Sequence, residues 1–271
     1  MGNLDLERLE ERAKFIRKET VRLITIAGSG HYSSVFSAAE ILSVLYYHTM
    51  KITDDPNWPG RDRMIMSKGH VAVGVYPILA DLGYFPKEWL DTYAHLGSFL
   101  GDHPDVKKVP GVDFSSGSLG HGLSVGLGMA LHMKKHDPER RVFVLLGDGE
   151  MNEGQIWEAA QAAAYHKVNN LVGIVDRNKM QLDGETKDIM STEPLEDKWR
   201  AFGWDVQVID GHDISQLVDA FDKVKRESDK PRMIIADTVK GKGVRYMETD
   251  RVWHLGCLYG QDVEDVMNEL G

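Results

Sequence analysis

A single cysteine, Cys257, stands in a chain of 271 residues, and this excludes an internal disulfide framework. It fits a reducing cytosol and reads as a small packed or partly exposed residue, since no histidine is patterned to activate it. The chain has no apolar run of membrane-spanning length. Its opening stretch, MGNLDLERLEERAKFIRKET, is charged throughout and lacks the apolar core of a signal peptide. A cytoplasmic location with no membrane partner is therefore expected. Positive charge is also short: 32 Lys and Arg face 42 Asp and Glu, a net charge of −10. That balance argues against nucleic acid as a partner. There is no internal repeat and no low-complexity segment.

What is present is an alternation of two hydrophobic periods. Leu6, Leu9, Ala13, Ile16, Leu23 and Ala27 recur at helical spacing, and Gly28 supplies a stop. Ser37 with Glu40 three residues on reads as a capping box, opening a helix through Ile41, Leu42, Leu45 and Tyr46. Further helices are expected after Lys68-Gly69-His70, over Leu123 to Met133, over Asp213 to Lys225 and over Gln261 to Leu270. Apolar runs at 142–146, 171–175, 206–209 and 233–236 read as strands. The fold class is α/β, an open and mostly parallel sheet with helices on both faces. Residues 97–120 form a long loop rich in turn residues, a kind usually functional in compact domains. Residues 185–197 read as a polar loop over the site.

The most informative segment runs from Leu145 to Gly184: LLGDGEMNEGQIWEAAQAAAYHKVNNLVGIVDRNKMQLDG. A strand ends at Gly147-Asp148-Gly149, a helix follows, and a second strand ends near Asn178. Asp148 and Asn178 then sit at the carboxyl ends of two strands, where open α/β sheets bind ligands. Carboxylate and amide oxygens are hard ligands suited to magnesium or calcium, with phosphate and water completing a magnesium shell. The flanking glycines allow a diphosphate to approach the backbone closely.

GDG, about thirty residues, then Asn resembles the diphosphate-binding signature of thiamine-diphosphate enzymes. Glu153-Gly154 makes the match closest to the transketolase family. Further resemblances lie in Ser29-Gly30-His31, Ser67-Lys68-Gly69-His70, Gly101-Asp102-His103-Pro104 and Trp253-His254, and in the glycine segment Gly117-Ser118-Leu119-Gly120-His121-Gly122. The resemblance implies thiamine diphosphate and a divalent metal, Mg2+ with Ca2+ or Mn2+ as alternatives. It implies metal ligation by Asp148, Asn178 and the Met180 carbonyl. It places His70, Gly117, Ser118, Leu119, Gly149, Glu153, Asn178 and His254 around the cofactor, and gives His31, His70, His103, Glu153 and His254 catalytic roles. His31, His70 and His103 would meet the hydroxyls and carbonyl of a donor sugar, where proton donors of near-neutral pKa are needed. Glu153 would join a relay at an interface between chains.

Three departures from the family pattern stand out. His121 replaces the usual glutamine. Tyr32 follows His31, a bulky aromatic expected at the mouth of the donor site and suggestive of an unusual sugar. His254 is followed by Leu255 before Gly256, one residue more than the family pattern. The remaining histidines, His48, His95, His132, His136, His166 and His212, are read as structural.

The resemblance covers residues 1–271 as a single diphosphate-binding domain, with a tail from about residue 246, but only the N-terminal part of a full-length transketolase. The pyrimidine-binding domain, with its activating glutamate, is expected on a separate C-terminal subunit, in a two-plus-two heterotetramer. The implied reaction is ketol transfer from a ketose phosphate to an aldose acceptor. The alternatives are a 1-deoxyxylulose-5-phosphate synthase-like or 2-oxoacid dehydrogenase-like subunit, or a catalytically silent homologue acting as a binding partner. The histidine turns and Glu153-Gly154 favour transketolase over the first two, and the intact metal ligands argue against the last.

Overall fold

Five short apolar segments pair into one all-parallel sheet: β1 (Arg63–Met66), β2 (Val142–Gly147), β3 (Leu171–Arg177), β4 (Asp205–Asp210) and β5 (Arg232–Asp237), in the order β1-β2-β3-β5-β4. The computed structural model describes residues 3–226, 228–248 and 250–271. Strand β1 was not expected from the sequence. It is only four residues long and too brief for a period to register.

The helices are α1 (Asn3–Ala27), α2 (Tyr32–Phe36), α3 (Ala39–Val44), α4 (Ala72–Asp81), α5 (His121–His136), α6 (Gly154–Tyr165), α7 (Thr186–Ile189), α8 (Leu195–Ala201), α9 (Ile214–Val224) and α10 (Gln261–Glu269). The central strands are apolar along most of their length because both faces of the sheet are covered. Phe143, Leu145, Val172 and Ile174 pack on one face with α1, α3, α4 and α9. Val142, Val144, Leu146, Leu171 and Val175 pack on the other with α5, α6 and α8. This is the expected two-faced α/β arrangement.

Helix α5 lies close to the sheet because its inner face carries glycine. A Cβ at Gly126 would fall 2.6 Å from Val144 Cγ2, and one at Gly122 would fall 2.4 Å from Ser67 Oγ. That approach sets the first turn of α5 beside the loop leaving β1.

Two expectations are corrected. The Ser37/Glu40 capping box does not form, because both side chains have stronger partners elsewhere. Ser37 Oγ donates to Asp176 Oδ2 at 2.6 Å, and Glu40 takes both Arg17 Nη1 and Nη2 at 2.7 Å. Arg17 and Glu40 thereby tie α1 to α3, and His212 Nδ1, 3.0 Å from Glu40 Oε2, adds the turn before α9. Burial acts to raise the Glu40 pKa, but His212 and Arg17 overcome it and hold it at about 2. The stretch 185–197 is not a plain loop: it carries α7 and the start of α8. Among the described residues, no helix is long and apolar enough to cross a membrane.

Two glycines of α5 are expected to respond oppositely to alanine. Gly126→Ala should cost about 1–3 kcal/mol through overpacking against Val144. Gly128, with open space around its Cβ position, should gain about 0.5–1 kcal/mol as alanine. Urea unfolding of the two variants checks this, and equal effects would mean that α5 is free to retreat from the sheet.

Candidate active site

Because every strand runs the same way, the turns leaving β1, β2, β3 and β5 open on one edge of the sheet. They carry Lys68 and His70, Asp148 and Gly149, Asn178 to Met180, and Lys240 respectively. The β2–β3 register pairs Gly147 with Asp176, so the following Asp148 and Asn178 leave neighbouring strand ends. The connection after α1 adds His31, the long loop adds His103 and Gly117 to Gly120, and a helical turn at Arg251–His254 adds His254. Between them lies a cleft of about 430 Å³ whose wall includes Lys68, His70, Gly117, Leu119, Gly149, Glu153, Asn178, Met180, Lys240 and His254. Ser118 is exposed on the loop between Gly117 and Leu119.

The floor is built on a buried carboxylate that no pattern in the sequence singles out. Asp176 is fully buried and pairs with Lys68 Nζ, itself 2% exposed. Ser37 Oγ and Thr238 Oγ1 also donate to Asp176. Burial pushes its pKa up, but the Lys68 ammonium and these donors bring it below the usual value. Asn178 Nδ2 turns toward Asp176 Oδ2 at 3.4 Å, which leaves Asn178 Oδ1 on the side of Met180, whose N–H it accepts at 3.1 Å.

Asp148 is 2% exposed and accepts from Gly149 N at 2.8 Å and Lys179 N at 2.6 Å. Burial and the nearby Asp176 charge raise its pKa to about 6. Lys179 holds φ +65°, a left-handed conformation costing about 1 kcal/mol in a non-glycine residue. It places Met180 next to Asn178 and leaves the Met180 carbonyl without a hydrogen bond among the described residues.

Glu150, likewise unmarked in the sequence, joins three segments. It accepts from Ser67 Oγ, from Gly120 N at 2.7 Å and from Gly147 N at 3.0 Å. Gly120 has φ +85°, and a Cβ there would fall 2.7 Å from Glu153 Cβ, so only glycine fits. Glu153 caps no backbone group; it stands exposed at the N-terminus of α6.

The four histidines picked out in the sequence gather into one cluster. The His31 ring lies 5.0 Å from His70, 5.4 Å from His254 and 6.3 Å from His103. The extra residue after His254 does not displace it from the group. Burial and the Lys68 charge keep His70 well below its ordinary pKa, and burial with the Lys240 ammonium, 2.8 Å from Nδ1, holds His254 at about 3. Contact with Asp102 raises His103. Tyr32 is not at the mouth: it is fully buried against Phe36 and Trp253, and its hydroxyl accepts from Leu258 N at 3.1 Å. The aromatic therefore anchors the C-terminal tail. His121 is exposed at the first position of α5.

The residues present fit a diphosphate and a divalent cation. Lys240 is 6% exposed, and among the described residues no carboxylate lies within ion-pair distance of it. Burial and the Lys68 charge lower its pKa to about 8, so an anion in the cleft would find an uncompensated cation. Asp148, Asn178 Oδ1 and the Met180 carbonyl are hard oxygen donors of the kind magnesium shares with phosphate. Among the described residues no cluster of three or more His, Cys, Asp or Glu offers a rival metal site.

Residues 9–271 match the family model "Transketolase, thiamine diphosphate binding domain". The chain is 46% identical over 241 residues to the 6-deoxy-6-sulfo-D-fructose transketolase subunit SqwG of Clostridium sp., covering 89% of this chain and 88% of the relative. It is 44% identical over 272 residues to one of the apulose-4-phosphate transketolase subunits of Actinobacillus succinogenes, covering 99% and 98%. Among solved structures, transketolase from Leishmania mexicana superposes with a TM-score of 0.91 at 28% identity, over 97% of this chain and 41% of that one. The chain thus spans about two fifths of the length of that transketolase. It belongs to the transketolase family and forms its thiamine diphosphate binding domain.

The two site lysines should separate by variant. Lys68→Met strands Asp176 in the interior and should cost about 3–5 kcal/mol of stability. Lys240→Met removes a cation with no carboxylate partner; it should melt near wild type yet weaken binding of inorganic diphosphate with Mg2+ about tenfold. Equal melting of both variants would refute the assignment of structural and binding roles. Metal binding should also follow pH. The Asp148 carboxyl must lose its proton to ligate, so Mn2+ binding, read by electron paramagnetic resonance, should strengthen as pH rises through about 6. Asp148→Asn should remove that dependence.

Proposed function

We propose that this chain is the N-terminal subunit of a two-chain transketolase, moving a two-carbon ketol unit from a ketose phosphate to an aldose acceptor. The observation that carries the reading is the pairing of opposite demands in one cleft. A buried Lys240 ammonium with no carboxylate partner among the described residues lines the cleft with Asn178 and Met180, and Asp148, between the cleft residues Gly147 and Gly149, completes a hard-oxygen set at its border with the adjoining pocket. A diphosphate with Mg2+ answers both. Thiamine diphosphate, when bound, supplies the carbon nucleophile that takes up the ketol unit.

The chain's own groups do the rest. Gly117 and Gly149 admit the diphosphate to the backbone. His70 and His254, held neutral beside Lys68 and Lys240, offer hydrogen bonds without adding charge at the cofactor. His31 and His103 meet the donor's hydroxyls, and His103, held more basic, is the group best suited to give a proton to a developing alkoxide. Glu153, exposed beside the glycine loop, would join a relay into a second chain.

That second chain is a C-terminal transketolase subunit in a two-plus-two cytoplasmic assembly. Supporting it, the chain equals only about two fifths of a full transketolase, while relatives named as transketolase subunits match nearly its whole length. The edge of the cleft also exposes Leu119, Leu182, Ile189 and Met190, at 40%, 60%, 50% and 64%. Such an apolar rim suits burial by a partner.

The test is ketol transfer by the chain purified from its host with its co-eluting partner. Donors are xylulose 5-phosphate, 6-deoxy-6-sulfo-D-fructose and apulose 4-phosphate. Activity should require the partner, Mg2+ and thiamine diphosphate, and Asn178→Ala should lower it at least about a hundredfold, close to 3 kcal/mol of barrier. Full activity from the single chain would overturn the split-enzyme reading.

A further inference from the structure

Among the described residues, Asp102 is the one carboxylate that faces two of the clustered histidines at once. Its Oδ1 lies 3.4 Å from His31 Nδ1, and its Oδ2 lies 3.1 Å from His103 Nδ1. The carboxylate is itself held. Tyr93, fully buried, donates its hydroxyl to Asp102 Oδ1 at 3.2 Å. Tyr76, also fully buried, donates to the neighbouring Gly101 carbonyl at 2.8 Å. Two core tyrosines, one in α4 and one just after the helical turn Lys87–Thr92, thus fix the height of this loop above the sheet. His31 Nδ1 is buried and has no aligned hydrogen bond, so the Asp102 carboxylate is the nearest group able to accept its proton.

We infer that Asp102 is a positioning residue that takes the Nδ1 edges of His31 and His103 and so turns both Nε2 edges to the donor sugar. The inference rests on the transketolase reading for the identity of that sugar, but not for the clamp. A carboxylate only accepts hydrogen bonds, so each Nδ1 facing it carries the proton, and the bond at one ring nitrogen fixes what the other can do. Neutral His31 and His103 therefore present Nε2 as an acceptor for sugar hydroxyls. When His103 takes a second proton, Asp102 compensates the charge and Nε2 becomes a donor. The arrangement is local in its electrostatics. The groups facing Asp102 are His31, His103 and Tyr93, with Tyr76 close by. Lys68 and Lys240 lie on the other side of the cluster beside His70 and His254. The positive charge at the diphosphate end and the negative charge at the sugar end thus divide one histidine cluster into two environments.

Two readouts test this. The first needs no activity. Nitrogen-15 NMR of imidazole groups in the full chain at pH 8 should show His31 and His103 as Nδ1–H tautomers, and Asp102→Asn should return both to the ordinary mixture favouring Nε2–H. Nε2–H tautomers in the unaltered chain would overturn the clamp, whatever reaction the protein performs. The second uses the chain with its partner. Asp102→Asn and Asp102→Ala should raise the donor KM and lower kcat/KM about tenfold or more, with the alkaline limb of the pH profile, where protonated His103 is lost, moved to lower pH and thiamine diphosphate half-saturation within about twofold. Asp102→Glu should recover part of the loss. Loss of cofactor saturation together with activity in every variant would show a merely structural role. Correct tautomers with no ketol transfer from any donor would count against the transketolase reading and leave the clamp standing.

Discussion

The buried pair of Lys68 and Asp176 is the interaction on which the site depends. Asp176 ends one strand, Lys68 leaves another, and Ser37 and Thr238 reach the same carboxylate from the end of α2 and from the end of β5. Four segments distant in sequence are thereby held to one another by a group fully removed from water. An isolated carboxylate there would be costly enough to be protonated or solvated. Paired and hydrogen-bonded, it gives Asn178 a fixed amide orientation and sets the floor height of the cleft. Glu150 does the same on the other side, joining Ser67, Gly120 and Gly147. The two carboxylates act as internal fasteners.

Above that floor the electrostatics are graded. Lys68 is neutralised by Asp176, whereas Lys240 has no carboxylate partner among the described residues and is destabilised as a cation by burial. His70 and His254, beside these ammonium groups, are kept neutral. His103, beside Asp102, is made more basic. One residue type thus serves two purposes within a few ångströms, because its pKa follows the sign of its nearest charge.

The α/β class was legible because the strands β2, β3 and β5 are apolar on both faces and are separated by helical periods. Asp148, Asn178 and the clustered histidines were legible because they stand in glycine-bounded turns of characteristic spacing. Strand β1 was not, being four residues long and followed directly by a functional turn. Lys68 stood inside a recognisable motif yet gave no sign of its role, since a lysine in a turn looks solvated until its depth is known. Asp176 and Glu150 were hidden for the same reason: nothing in a single sequence marks a carboxylate as buried. Tyr32 misled because it adjoins His31. Neighbouring residues at a helix start point in different directions, and Tyr32 points to the core.

Several groups at this edge of the sheet are held in states they would not adopt alone. Asp148 is buried with its pKa raised to about 6, Lys240 is buried without a counter-charge, and Lys179 occupies the left-handed region. Each is a local loss of stability, and they line two adjoining pockets at the same edge of the sheet. A divalent cation would relieve Asp148, an anion would relieve Lys240, and ligation of the Met180 carbonyl would use the turn that Lys179 makes. Anything that binds only the folded chain stabilises it in proportion to its affinity, so relief of these three losses and binding of a metal diphosphate are the same free energy viewed from two sides. A fold optimised for stability alone would have neutral, exposed or glycine residues at those positions. Their concentration at one edge, over a core packed on both faces of the sheet, is what marks that edge as the working surface of the protein.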